Sequence, residues 1–258
     1  MPEGDTVYRT ARHLNDVLAG REIERWALRV PAYATSDLTG LTVDEVVSRG
    51  KHILHRIDGH TLHTHLKMEG TWHVYPRGTR WKKPAHTARA VIETSDHTTV
   101  GFDLAMVELI SRDDEEFIVG HLGPDLLGAD WSADTAVANL DAAPDRPTAI
   151  ALLDQRNLAG LGNEYVAELC FLRGIRPDSP IAQTATRELV RLAHRLITAN
   201  RDRVSRTTTG DTRRGRRVWV YGRAGQPCLR CGTLIERGRL GPTATQERVT
   251  FWCPRCQS

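Results

Sequence analysis

Val7, Ala11, Leu14 and Leu18 recur at spacings of four, three and four residues, the period of one buried helical face. Residues 6–19 are therefore expected to form an amphipathic helix that stops at Gly20. From about residue 22 to 120 the pattern turns to strands. Residues 46–57 mix a β-branched run with alternation, and residues 87–102 read as two strands turning at Ser95-Asp96-His97. Several short strands at this spacing imply a sandwich or flattened barrel. Residues 129–147 are rich in Ala, Asp and Pro, which places a domain boundary there. Beyond it the periods are helical, over 148–156, 163–173 and 186–201, the last with Leu189, Leu192, Ala193 and Leu196 on one face. A polar, arginine-studded loop over 205–217 leads into a cysteine-bearing hairpin module, and there is no internal repeat. The expected fold is α+β, with an N-terminal β-sandwich domain over 1–130, a helical domain over 131–218 and a finger module over 219–258.

A chain of 258 residues can bury two modest cores, and 40% hydrophobic with 26% charged residues is ordinary for a soluble globular protein. No run of eighteen apolar residues occurs and no basic-then-apolar leader opens the chain, so a cytoplasmic, nucleoid-associated location without a membrane partner is expected. The net charge of +3 conceals an asymmetry. Residues 201–258 hold thirteen arginines, no lysine and four acids, a local balance of +9, which leaves −6 for the first 200 residues. A basic segment built from arginine alone suits phosphate recognition, because the guanidinium fork grips phosphate oxygens in pairs; a solvated arginine-rich surface is the alternative.

The first candidate chemistry lies at Pro2-Glu3. Once Met1 is clipped, Pro2 is a free secondary amine able to attack an aldehyde carbon and condense to an iminium. An α-amino group titrates near ~8 against ~10.4 for lysine, so about a tenth is neutral and nucleophilic at pH 7. A carboxylate one residue on can move protons at the same carbon. The second is Cys228-x2-Cys231 and Cys253-x2-Cys256, two knuckles 21 residues apart, the pattern of one structural zinc held by four thiolates. All four ligand positions are then consumed, so the metal is closed and not catalytic. The fifth cysteine, Cys170, falls on an apolar helix face and reads as core. The third is the stretch 152–165, in which a helix ends near Arg156, a turn with Gly160 and Gly162 follows, and Asn163 stands where a second helix would be capped. Backbone amides at such a helix start form an anion site, although the same pattern also describes an ordinary helical hairpin.

Together these pieces resemble the formamidopyrimidine-DNA glycosylase and endonuclease VIII family over essentially the whole length. The carrying motifs are MPEGDTV, SRGKHIL, HLGPDLL, LLDQRNLAGLGNEY and the finger VYGRAGQPC–RCG–VTFWCPRC, in matching order and spacing. The resemblance implies a bifunctional DNA glycosylase and AP lyase of base excision repair, acting as a monomer on damaged DNA in the cleft between the two domains, with one structural zinc. Pro2 would attack C1′ of the damaged nucleotide and Glu3 would act as acid and base at that sugar. Lys51, on the strand after Gly50, would assist base loss and β-elimination. Asn163 would bind the backbone beside the lesion, and Arg248 would contact phosphates at the flipped nucleotide and aid δ-elimination. An enzyme that works on a base inside a duplex must extrude it and fill the gap. Met68 falls at the family's wedge position, flanked by Lys67 and Glu69 where endonuclease VIII commonly has glutamine and tyrosine.

Two further departures choose the branch. Over 103–108 the sequence DLAMVE puts Ala105 and Val107 where the 8-oxoguanine branch carries the arginine and phenylalanine that inspect the opposite cytosine. Oxidised pyrimidines are therefore the expected substrates, with loose opposite-base selection. His121 occupies a DNA-contact position that endonuclease VIII often fills with arginine. His63 and His65 share a strand face, but without an acidic or cysteine partner in sequence they do not read as a metal pair, and the acidic run 113–116 reads as a solvated turn. Two other classes compete: a zinc-ribbon protein that only binds damaged or abasic DNA, and a Schiff-base enzyme for small carbonyl compounds. The first has no need of a Pro2 amine beside Glu3 and Lys51, and the second leaves the basic C-terminal half without a role.

Overall fold

The computed structural model describes residues 2–258, so the removal of Met1 lies outside the described residues. The chain separates into two compact units, one ending at His121 and the other running Leu122–Ser258. The division falls upstream of the expected 130/131 boundary, because Leu126, Leu127 and Trp131 already pack into the second unit's core.

The first unit opens with α1 (Gly4–Leu18), whose Val7, Ala11, Leu14 and Leu18 are buried as their spacing requires. Eight strands follow: β1 (Arg25–Leu28), β2 (Val43–Arg49), β3 (His52–Ile57), β4 (His60–His65), β5 (Thr71–Pro76), β6 (Ala88–Glu93), β7 (His97–Phe102) and β8 (Met106–Ser111). They form two antiparallel four-stranded sheets, ordered β1-β6-β7-β5 and β2-β3-β4-β8. Ile53, Ile57, Leu62 and Val107 of one sheet meet Trp26, Leu28, Ala90, Ile92 and Trp72 of the other in one apolar core, a sandwich as expected. α1 closes the same core, and Asn15 Oδ1 accepts a 2.8 Å hydrogen bond from the Val46 amide.

The 46–57 stretch, read as strand-like, folds into a tight hairpin. Arg49 pairs with His52, leaving Gly50 and Lys51 as a two-residue turn, and Gly50 supplies the positive φ (59°) that its first position demands. The acidic run also departs from expectation. Glu115 opens the short helix α2 (Glu115–Val119) but is buried against the sheet, where Arg56 meets it at 2.8 Å and the Thr61 hydroxyl donates to it. Burial works to raise its carboxyl, but the Arg56 and Thr61 hydrogen bonds outweigh that and hold it below its usual range.

The second unit holds α3 (Ala133–Asp141), α4 (Thr148–Leu153), α5 (Asn163–Arg173) and α6 (Thr186–Asn200), followed by the ribbon β9 (Glu236–Leu240) and β10 (Arg248–Trp252). α3 lies inside the stretch expected to hold the domain boundary, because Ala136 and Leu140 give even that short segment a buried face. Leu189, Ala193 and Ile197 of α6 pack against Tyr165, Val166 and Leu169 of α5. Cys170 is part of this core, and burial pushes its thiol up to about 12, which leaves it inert. A second cluster joins Ala167 and Phe171 of α5 to Val220, Ile235 and the cysteines, so the finger is seated on the helices.

Candidate active site and metal centre

In the first unit Glu3 is fully buried in the extended residue that precedes α1, and its carbonyl accepts the Val7 amide at 3.0 Å. Pro2 is thus attached directly to a helix start that core packing holds in place. Lys51 stands at the tip of the β2–β3 hairpin, in the turn and not on a strand. The packing of α1 on β2, with the Asn15–Val46 hydrogen bond, ties the Pro2-Glu3 helix to the hairpin that ends at Lys51.

Residues 65–70 form a tight turn. Lys67 adopts a left-handed φ of 51°, its amide donates to His65 Nδ1 at 2.9 Å, and the Gly70 amide donates to the Leu66 carbonyl at 2.9 Å. A side chain at residue 70 would collide with that carbonyl, its Cβ lying only 2.6 Å away, so glycine is needed to close the turn. The result holds Met68 outward with 60% of its surface exposed, a large apolar side chain without apolar cover. Ala105 is exposed just before β8, and Val107 is buried opposite Thr64, so neither can reach out to inspect a base. His121 is exposed at the end of the unit.

The pairing of β3, β4 and β8 produces a feature that sequence reading missed. His52, His63, His65 and Glu108 gather on the outer face of the sheet, with His63 Nδ1 2.8 Å from Glu108 Oε2 and His63 Nε2 2.8 Å from His52 Nδ1. An acidic partner for His63 therefore does exist. Its only sequence signal was the strand alternation, and that becomes informative only once the register is known. Burial, then the neighbouring His63, His65, His121 and Lys67, depresses His52 to about 3. Burial, then Lys67 and Lys51, lowers His65 to about 4.

In the second unit α4 and α5 are joined by two turns held by side chains. Gln155 donates from Nε2 to the carbonyls of Leu153 (2.8 Å) and Leu161 (3.0 Å), and its Oε1 accepts the Gly160 amide at 3.0 Å. Asn163 does not cap α5. Gly162 precedes the helix, and Asn163 Nδ2 instead donates to the Val249 carbonyl of β10 at 2.7 Å, which sets the helix start beside exposed Arg248. The arginines divide into two groups. Arg223 is buried and donates to the Trp219 and Pro227 carbonyls, Arg230 lies over the Phe171 ring, and Arg206 pairs with Glu164 at 3.2 Å. Arg237, Arg239 and Arg248 are exposed on the ribbon. Part of the +9 is therefore structural.

The four cysteines converge, with all their Sγ atoms within 4.8 Å of one another and Cys231 to Cys253 at 3.5 Å. A tetrahedron with Zn–S bonds of about 2.3 Å needs S···S edges of about 3.8 Å, so the cluster fits. The Arg230 amide donates to Cys228 Sγ at 3.4 Å, support that favours a thiolate. Gln257 fastens the second knuckle, its Oε1 accepting the Cys253 amide and its Nε2 donating to the Ile175 carbonyl, both at 2.8 Å. Cys228, Cys231, Cys253 and Cys256 hold one structural zinc, whose contribution is to the fold of the ribbon that carries Arg248.

A β-sandwich led by a Pro-Glu helix start and a helical unit closed by a four-thiolate ribbon with exposed arginines define an α+β zinc-finger protein. Residues 1–119 match the formamidopyrimidine-DNA glycosylase N-terminal domain, and residues 225–258 match the zinc finger found in FPG and IleRS. The chain is 51% identical to a probable endonuclease 8 2 of Streptomyces coelicolor, over 100% of this chain and 94% of that one. It is 50% identical to the DNA-(apurinic or apyrimidinic site) lyase Nei2 of Mycolicibacterium smegmatis, over 100% and 99% of the two chains. A solved structure of MutM in complex with carbocyclic 8-oxo-G containing DNA superposes with a TM-score of 0.81 at 25% identity, covering 100% of both chains. The chain belongs to the formamidopyrimidine-DNA glycosylase and endonuclease VIII family, on the endonuclease VIII side. No helix among the described residues is long and apolar enough to cross a membrane.

Proposed function

We propose that this protein is a bifunctional DNA glycosylase and AP lyase that excises oxidised pyrimidines and cleaves the strand at the resulting abasic site. The observation that carries this reading is the Pro2-Glu3 start packed at the head of α1 in a chain 50% identical, end to end, to an enzyme named as an AP lyase. The Pro2 nitrogen attacks C1′, the N-glycosidic bond breaks and the base leaves with its electron pair. Glu3 protonates O4′ as the sugar ring opens, leaving an iminium between Pro2 and C1′. The positive iminium acidifies the C2′ proton. Its removal expels the 3′ phosphate in β-elimination, and a second elimination expels the 5′ phosphate. Lys51 assists base loss and the first elimination, while Asn163 and Arg248 hold backbone phosphates and Arg248 aids the second. Lys67, Met68 and His121 contact DNA, with Met68 filling the space of the extruded nucleotide.

The preference for pyrimidine lesions rests on Ala105 and Val107, neither of which offers a group that could inspect an opposite cytosine. The enzyme acts as a monomer on DNA of the nucleoid, and binding through lysine and arginine makes it sensitive to salt. Borohydride added to the Met1-processed protein with an abasic-site duplex should trap a covalent adduct that mass spectrometry maps to Pro2. An N-terminal extension should abolish it. Trapping that survives the extension would overturn the role of Pro2, and absence of an adduct despite DNA binding would reduce the protein to a recognition module.

A further inference from the structure

The hydrogen-bond chain on the outer face of the first unit's second sheet has a fixed direction. A carboxylate only accepts, so the 2.8 Å contact at Glu108 Oε2 makes His63 the donor from Nδ1. A neutral imidazole has one N–H, so His63 Nε2 is an acceptor, and the 2.8 Å contact to it makes His52 Nδ1 a donor. His52 Nε2 is left carrying a lone pair. His63 is almost wholly buried; burial lowers both histidines, at His63 against the pull of Glu108, and Lys67 opposes a positive charge at each, which favours the neutral form of the two rings. The two rings stack at 5.0 Å, and His65 meets His52 edge-on at 5.1 Å.

His52 is the residue after Lys51 and pairs with Arg49 across the turn that presents that lysine. We propose that Glu108, His63 and His52 are positioning residues for Lys51: their two hydrogen bonds clamp one arm of the β2–β3 hairpin to β4 and β8 and set His52 as an acceptor at Nε2. This inference rests on the reading of Lys51 as a participant in base loss and elimination. The relay joins three strands, and its direction is set by one carboxylate at its far end. Removing that carboxylate releases His63 to the Nε2–H form, which then donates to His52 Nδ1 and moves the His52 proton to Nε2. One substitution on β8 thereby inverts the polarity of the imidazole that follows Lys51 in the chain.

Nitrogen-15 histidine spectra of the full-length, zinc-loaded protein test this directly. Wild type should show both His63 and His52 in the Nδ1–H form, and Glu108→Leu should convert both to Nε2–H. In single-turnover cleavage of an abasic-site duplex, Glu108→Leu should slow β-elimination by roughly ten- to a hundredfold, with DNA affinity changed less than about twofold, as expected for a misplaced group. His63→Phe, which keeps a ring but removes the relay, should slow it equally, and the double variant should be no slower than either. His52 found as Nε2–H in wild type would overturn the relay, and full-rate cleavage by both variants would overturn its positioning role. Lys51→Ala separates the two ideas. If it is slow while the Glu108 and His63 variants are fast, the relay fails alone. If it retains full rate, the reading of Lys51 fails and the positioning role falls with it.

Discussion

Glu168 offers the sharpest test of how the second unit holds its long loop. The residue is fully buried on α5, and its carboxylate accepts the backbone amides of Trp219 (2.7 Å), Val220 (2.8 Å) and Tyr221 (2.9 Å), together with the Thr208 hydroxyl. Burial pushes its carboxyl upward against the pull of these bonds. The substitution Glu168→Gln changes almost no volume but replaces one acceptor oxygen with an NH2 donor. Whichever way the amide turns, at least one buried N–H faces another donor. Losing one hydrogen bond to a charged group and stranding a buried amide costs about 2–4 kcal/mol. Glu168→Ala strands three amides and should cost roughly 4 kcal/mol or more. A loss of about 3 kcal/mol lowers the Tm of a unit this size by roughly 6–15 °C. Calorimetry and urea unfolding measure the total, and amide exchange at Trp219, Val220 and Tyr221 reports the site itself. A Glu168→Gln protein within about 0.5 kcal/mol of wild type, with those three amides still protected, would refute the reasoning.

Other consequences concern the finger, the DNA contacts and acid stability. Arg248→Ala should leave β-elimination while reducing δ-product, a split visible on sequencing gels; equal loss of both would remove its special role. Cys228→Ser should lose zinc and unfold the ribbon, and undiminished zinc by atomic absorption would refute four-thiolate binding. His55 is fully buried beside Trp72, and desolvation depresses it to about 4. Its folded pKa lies below the unfolded value, so the stability it contributes is present above about pH 6.5 and is lost as pH falls toward 4, on the order of 3 kcal/mol. His55→Leu should flatten the stability profile across that window, and an unchanged profile would show that His55 does not govern it.

Much of this protein was legible in the chain because the informative signals are local. The 3.6-residue period of Val7, Ala11, Leu14 and Leu18 marks α1 to within two residues, and the paired C-x2-C knuckles mark the zinc centre. The proposed roles of Pro2 and Glu3 likewise start from adjacency alone. Both kinds of signal survive without knowledge of the fold because covalent spacing carries them. What the tertiary structure decided was every contact set by strand register or by helix docking. Glu115 looked solvated until Arg56 and Thr61, on paired strands, were brought to it. Asn163 looked like a helix cap until β10 presented the Val249 carbonyl, and the arginines looked equivalent until packing buried Arg223 and left Arg248 in the open. Glu108 and His63 lie 45 residues apart and meet only because β4 and β8 pair in one register; a slip of one residue would send the two side chains to opposite faces. Periodicity says which face a residue takes, but only the pairing of distant strands says what it meets there.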